Sequence, residues 1–293
     1  MTALFRSSVL QLLLLAAIWG ASFLFLRIGV PVFGPAKLIF LRVALAAVFL
    51  SGVALWLKQG LALRGNVQHY FVIGVLSAGL PFLLYGYAAQ SLNASMLAIV
   101  NAMTPIFGAL VAAIWLRIPL RPLAMLGLAL GFGGVLLIVG ADLGTRGAQD
   151  WLAYLAALGA PFCYAIATSY TRKYAAAIPP FAQAHGSCWT AAIATLPLAL
   201  WLPARAEPVA GDWLAVLALA VLCTGWAYLI FFRLLASIGP ARTMTVTFLI
   251  PVFGVLWGHL FLGESITLIM LAGGVIVLLG TALANGLIGR RGD

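Results

Sequence analysis

The chain has 293 residues, of which 65% are hydrophobic and 8% charged, with a formal net charge of +10. Ordinary soluble domains carry about 25% charged residues, so this balance excludes a water-soluble globular protein. It also excludes a nucleic-acid binder, because the basic residues are scattered over loops rather than gathered on one soluble face.

A hydrocarbon core about 30 Å thick is crossed by roughly 20 apolar residues in helical form. Taken in chain order, the apolar runs predict ten spans: 8–28, 35–57, 67–90, 93–115, 121–140, 150–171, 180–202, 212–236, 240–262 and 266–288. With their short links they use the whole chain and leave no soluble domain. The first run is too long for a signal peptide, and no small-residue cleavage site closes it. Cys163, Cys188 and Cys223 fall inside spans without metal-type spacing, which predicts apolar packing. No cofactor is expected.

Basic residues concentrate in the cytoplasmic links of membrane proteins. With the N-terminus inside, the inner segments hold eleven: Arg6, Lys58, Arg64, Arg117, Arg121, Arg172, Lys173, Arg233, Arg242, Arg290 and Arg291. The outer links hold four, Arg27, Lys37, Arg146 and Arg205, and Arg42 sits within the second span. This bias predicts cytoplasmic N- and C-termini.

Inside the fourth span, Pro105 interrupts the stretch "VNAMTPIFGAL". Proline in a helix interior removes a hydrogen bond and clashes with the preceding turn, at a cost of about 3 kcal/mol. An offset of 146 residues takes Pro105 to Pro251, Phe107 to Phe253 and Gly108 to Gly254. It also takes Gly127, Gly134 and Gly140 to Gly273, Gly280 and Gly286. Two halves of five spans follow, 1–143 and 144–293. Five is odd, so the second half enters the membrane from the opposite side. Inverted repeats of this kind place a binding site near midplane at the repeat interface. Pro105 and Pro251 are therefore expected to bend equivalent helices around a cavity and to act in gating. The bland alternative is a tolerated packing kink, since proline is common in membrane helices.

These features carry a resemblance. The two five-span repeats, with Pro251-Val252-Phe253-Gly254, Gly263-Glu264, Gly273 and Gly280, resemble the EamA branch of the drug/metabolite transporter (DMT) superfamily. The first half shows Pro105-Ile106-Phe107-Gly108, Gly127 and Gly134, and departs from the pattern with Arg117-Ile118 where Gly-Glu would stand. The chain is also similar overall to the YddG-type aromatic amino-acid exporters of that branch. The resemblance implies an all-α carrier in a bacterial inner membrane that exports small organic solutes, with amino acids or similar metabolites as cargo.

The ionisable inventory bounds the chemistry. Asp142, Asp150, Glu207, Asp212, Glu264 and Asp293 are all placed in loops or at the tail. A proton- or sodium-coupled antiporter usually needs a buried carboxylate, so facilitated, gradient-driven flux by alternating access is favoured, although backbone carbonyls could still bind an ion. Intramembrane charges are candidate functional residues by default. Arg42 is the one clear example; it either meets a substrate carboxylate or snorkels outward, and the second reading is favoured. His69, His185 and His259 lie toward span ends and read as hydrogen-bonded interfacial residues. Polar and aromatic residues deep in the spans are candidate substrate contacts: Trp19, Ser22, Tyr85, Asn101, Tyr164, Trp226, Tyr228 and Thr247. Such rings can take an apolar tail while their polar handles orient a head group. The competing role is helix packing through cross-helix hydrogen bonds. The Gly-rich fifth and tenth spans read as scaffold or oligomer contacts.

A membrane-embedded enzyme would need acids, metal ligands or a nucleophile and base converging at one depth. The loop carboxylates and scattered histidines do not supply that. A channel, a drug/metabolite or nucleotide-sugar-type carrier and a proton-coupled antiporter remain as alternatives; the nucleotide-sugar type would want several cavity cations beside Arg42.

Overall fold

The computed structural model describes residues 7–61, 63–146 and 151–286. Arg6, Asp150, Arg290, Arg291 and Asp293 lie outside the described residues. Among the described residues all regular structure is helical. The first helix, α1 (Ser8–Trp56), is 49 residues long and breaks at Gly34, whose φ of 71° and ψ of 162° are not helical. The break reverses the chain: a Leu38 methyl carbon lies 2.8 Å from where a Cβ on Gly29 would stand. Residues 8–33 and 35–56 are thus two arms of a hairpin. Gly34 precedes Pro35, and a residue before proline is pushed out of the α region; glycine can answer with positive φ at little cost. Gly239, before Pro240, uses the same solution with φ 80° and ψ 168°.

The next rod is α2 (Val67–Gly74), a π-helical turn (Val75–Gly79) and α3 (Leu80–Ala88). Then come α4 (Ala94–Asn101) and α5 (Thr104–Trp115), followed by α6 (Pro122–Arg146) and α7 (Trp151–Tyr174). Next are α8 (Pro180–Trp201) and α9 (Ala210–Leu217), a π-helical segment (Ala218–Trp226) and α10 (Ala227–Thr243). Helices α11 (Val246–Leu262) and α12 (Leu268–Ala284) close the fold. Among the described residues, six stretches are long and apolar enough to cross a membrane: Ser8–Trp56, Val67–Ala88, Ala94–Trp115, Pro122–Leu143, Trp151–Tyr174 and Ala210–Pro240. Apolar side chains cover much of the outside; Leu55, Ile114, Leu200 and Leu268 are all exposed, as a surface wetted by lipid requires.

The offset of 146 residues reappears in the backbone. Val75–Gly79 maps into Ala218–Trp226, so both halves carry a π-helical segment at the same place. Ala102 N–H donates to the Ile99 carbonyl at 3.0 Å, and its repeat image, Phe248 N–H to the Thr245 carbonyl, spans 3.1 Å. Both are tightened turns three residues before the repeated proline. The prolines themselves differ from the expected pair of equivalent bends. Pro105 is the second residue of α5, where no intrahelical N–H is needed, and the Asn101 carbonyl is taken by the Thr104 hydroxyl at 2.7 Å. The mid-helix penalty is therefore avoided there. Pro251 lies inside α11 instead, because that helix begins one turn earlier in the repeat.

Helices α6 and α12 pack along each other, as the scaffold reading of the Gly-rich spans expects. Gly127 faces Gly280 and Ala284, while Gly134 faces Gly273 and Val277, so the two helices run antiparallel. The offset exchanges the pairs: 127 maps to 273 and 134 to 280. The contact is self-complementary about a two-fold axis. A Cβ on Gly280 would stand 2.5 Å from the Gly131 nitrogen and 2.6 Å from the Gly127 carbonyl oxygen. The seam therefore admits no side chain.

Overpacking of this kind costs about 1–3 kcal/mol. Gly280→Ala is expected to lower the melting temperature of the detergent-solubilised protein by several degrees. Gly133→Ala, on the same helix but with nothing within 4 Å of the new Cβ, should leave it unchanged. Equal melting curves for the two variants would refute the seam.

Candidate functional site

The second π-helical segment supplies Thr224, and the tightened turn before Pro105 supplies Asn101, to a buried polar cluster. Its centre is Arg42, on the 35–56 arm of α1, which is only 4% exposed. The snorkelling expectation is overturned: the side chain turns inward. Its Nε–H donates to the Thr224 hydroxyl at 3.0 Å, and its guanidinium carbon stands 3.5 Å from the centre of the Phe82 ring. Thr224 belongs to the second π-helical segment and donates to the Leu219 carbonyl at 3.0 Å. The wider turn thus presents an oxygen that both closes its own backbone and holds Arg42. Tyr164, Tyr228, Cys188 and Cys223 are the electrostatic neighbours of the guanidinium.

Tyr85 is buried on α3 and donates to Asn101 Oδ1 at 2.9 Å. Its ring meets Phe23 edge-on at 5.4 Å, and its hydroxyl has Tyr164 and Cys163 as electrostatic neighbours. Ser22, on the 8–33 arm, is 7% exposed; its hydroxyl lies beside the Cys223 thiol without hydrogen-bond geometry and has no partner. Trp19 sits on the same arm with its ring 5.5 Å from Phe231, and Tyr228 stacks on Phe232 at 5.9 Å.

Of the eight candidate contacts, Ser22, Tyr85, Asn101, Tyr164 and Tyr228 therefore share one neighbourhood, with Trp19 at its edge. Two do not join it. Trp226 is 45% exposed with its ring 6.5 Å from Phe49, and the Thr247 hydroxyl donates to the Met244 carbonyl at 2.8 Å. Sequence reasoning missed Phe82 and Thr224. Thr224 could have been found from its place in the repeat, five residues past Leu219 in a segment whose image contains a π-turn.

The described carboxylates are engaged elsewhere or exposed. Glu264 accepts from Ala94 N–H (2.7 Å), Ser95 N–H (2.9 Å) and the Ser95 hydroxyl (2.5 Å), tying the α11–α12 link to the start of α4. Asp212 accepts from Val209 N–H at 2.9 Å in the first turn of α9, and Glu207 is exposed. Asp142 lies within α6, not in a loop, and accepts from the Tyr154 hydroxyl. The histidines are hydrogen-bonded as expected: His69 to Tyr170, His185 to Ser51 and His259 to the Glu264 carbonyl. All three cysteines are buried and free. Among the described residues, no group of three metal-binding side chains occurs.

An apolar, many-helix chain with duplicated halves and a buried polar cluster between them is a multi-pass membrane transporter. The chain belongs to the EamA-like transporter family, whose pattern it matches twice, over residues 6–140 and 151–286. It is 25% identical over 285 residues to the uncharacterized transporter YvbV of Bacillus subtilis, covering 95% of this chain and 91% of that one. It is 29% identical over 287 residues to a protein of Salmonella typhimurium named a probable amino-acid metabolite efflux pump, covering 92% and 91%. A crystal structure 21% identical in sequence shares the fold, with a TM-score of 0.70 and 98% of both chains covered.

The Tyr85–Asn101 bond crosses from α3 to α4 and should couple the two residues. Cross-helix hydrogen bonds in membranes are worth about 0.6 kcal/mol on average and reach about 1.7. A double-mutant cycle of Tyr85→Phe and Asn101→Ala, read by unfolding in mixed micelles, should return a coupling in that range. Additive effects would show that the bond is not formed.

Proposed function

We propose that the protein is a carrier of the bacterial inner membrane that exports small organic solutes, chiefly amino acids, by alternating access. In this reading the rods form ten transmembrane helices in two inverted five-helix repeats, 1–143 and 144–293, with both termini cytoplasmic. The observation that carries it is the α6–α12 seam, where repeat-related glycines meet antiparallel and exchange under the repeat offset. A two-fold axis in the membrane plane gives a carrier two related ways to open. The name of the Salmonella relative supports amino-acid export. No carboxylate of the described residues is hydrogen-bonded to the cluster, which supports flux down the solute's own gradient. Proline placement supports gating at the tightened turns before Pro105 and Pro251.

The repeats also break their symmetry in a way that fits export. Gly263 ends α11 with φ 66°, and its image Arg117 keeps the same left-handed turn with φ 54°. The side chains then diverge. Glu264 has Ile118 as its image, and Gly258, where a Cβ would stand 2.4 Å from Glu264 Oε2, has Ala112. The end bearing Glu264 is also tied by Arg205 to Gln90 (2.5 Å), Arg27 to the Ala89 carbonyl (2.6 Å) and Arg205 N–H to the Val32 carbonyl (2.8 Å). With that end periplasmic, the carrier rests closed outside and loads from the cytoplasm.

Counterflow in liposomes with labelled amino acids tests the reading. Saturable, stereoselective exchange is expected with no pH or sodium gradient. Flux that vanishes when both gradients are collapsed would overturn the uncoupled mechanism, and no exchange across the amino-acid panel would overturn the cargo. Cysteine at Thr145 should label from the periplasm and cysteine at Arg64 only from the cytoplasm; the reverse pattern would overturn the topology.

Glu264→Gln probes the clamp. A Gln amide presents donors where backbone N–H groups already converge, so the variant should open the outer end more often. Periplasmic labelling of a cysteine at Tyr85 should rise several-fold over that in the Glu264 background. An unchanged rate would mean that the clamp does not gate.

A further inference from the structure

We propose that Arg42 and Ser22 form the head-group subsite of the buried cluster, and that it takes a small monocarboxylate with an apolar or aromatic tail. The proposal rests on the carrier reading above and names the chemical class of its cargo.

The guanidinium is the first observation. Arg cannot shed its proton inside a protein, and a buried cation left without a counter-charge costs several kcal/mol. Among the described residues no carboxylate pairs with Arg42. Thr224 holds Nε, Phe82 fixes the plane of the fork, and the terminal nitrogens have no hydrogen bond among the described residues. A planar fork held at its base and on its face is prepared for two parallel hydrogen bonds to a carboxylate. A role confined to helix packing would not call for a permanent charge here, since Thr224 already closes its own turn on Leu219.

Ser22 is the second, independent observation. It comes from the other arm of α1, and its buried hydroxyl is unpartnered. A buried hydroxyl left unsatisfied is destabilising, and a bound polar head would relieve it. Cys223, beside it, is the chain neighbour of the residue that holds Arg42. Cys223 is also an electrostatic neighbour of the guanidinium, so the hydroxyl and the fork share Cys223 as a neighbour.

The surroundings limit the ligand. Phe82 lies against the guanidinium, and Tyr164 and Tyr228 are its electrostatic neighbours, so an apolar or aromatic tail suits the surroundings. Arg42 is the one cation of the described residues in the cluster, which suits one negative charge and not a diphosphate. No described carboxylate bonds there to select an ammonium group. The carboxylate, rather than the amine, is what the subsite reads.

The test uses the full-length protein in detergent, with thermal stabilisation by L-phenylalanine, L-leucine, their carboxamides and 3-phenylpropionate. The acids, including 3-phenylpropionate, should bind about tenfold or more tightly than the amides, as a charge-assisted pair implies. That preference should disappear in Arg42→Gln and shrink in Ser22→Ala. Arg42→Lys keeps the charge without the fork and should retain only part of the preference, which serves if Arg42→Gln does not fold. Equal binding of acids and amides by the wild type would overturn the subsite. So would an acid preference that survives unchanged in the folded Arg42 variants, or no binding by any acid. Saturable counterflow of uncharged solutes alongside any of these results would leave the carrier standing and remove only the subsite.

Discussion

In a hydrocarbon environment every backbone polar group must be satisfied within the protein, and this constraint organises the whole molecule. Helices meet it automatically, so each departure from helix has to be covered by neighbours. The departures here are the hinge at Gly34, the two π-helical segments and the tightened turns before Pro105 and Pro251. At Asn101 the freed carbonyl is taken by Thr104, and at Leu219 the carbonyl is taken by Thr224. Hydroxyls do the repair because they are small enough to fold back on their own turn. Once in place, the same hydroxyls and the surrounding polar atoms become a surface that a polar solute can use. At Asn101 and Thr224 irregular backbone and candidate site coincide for that reason.

The constraint says nothing about what holds the rods together. Lipid tails are as apolar as leucine, so burying leucine against leucine gains little. Close backbone approach gains more, which is why the tightest seam is made by glycines of α6 and α12. The seam also explains how a duplicated chain can be one body. Because the contact is self-complementary, a single small-residue pattern, duplicated, supplies both faces. The Gly-rich spans need no partner chain to justify them.

The repeat was legible in the sequence because it depends on a fixed offset. What failed was rotation about the helix axis. In a span that is apolar all round, no hydrophobic stripe marks the inward face. Trp226 and Thr247 were grouped with the cluster by depth alone, yet one is exposed, with its ring 6.5 Å from Phe49, and the other closes its own turn. Arg42 was misread for the same reason. Distance from the span end favoured snorkelling, but the side chain points toward Thr224, and only the fold brings Thr224 there. The equivalence of Pro105 and Pro251 held in sequence and failed in register, because α11 starts a turn earlier than its image.

The most informative residues are those where the duplication is preserved in backbone and broken in side chain. Arg117 and Gly263 keep one left-handed turn, although a non-glycine residue pays for it. That shared geometry shows that the turn itself belongs to the fold. What differs around it is then chosen for another purpose: a carboxylate at one end with a glycine cleared for it, and isoleucine with alanine at the other. Two-fold architecture alone would make the outer and inner gates equal in strength. A carrier that moves solute outward benefits from unequal gates, because its empty form should wait open to the side where cargo is collected. In the proposed carrier, one acidic side chain that accepts three hydrogen bonds at one end would set that preference without altering the fold that both halves share.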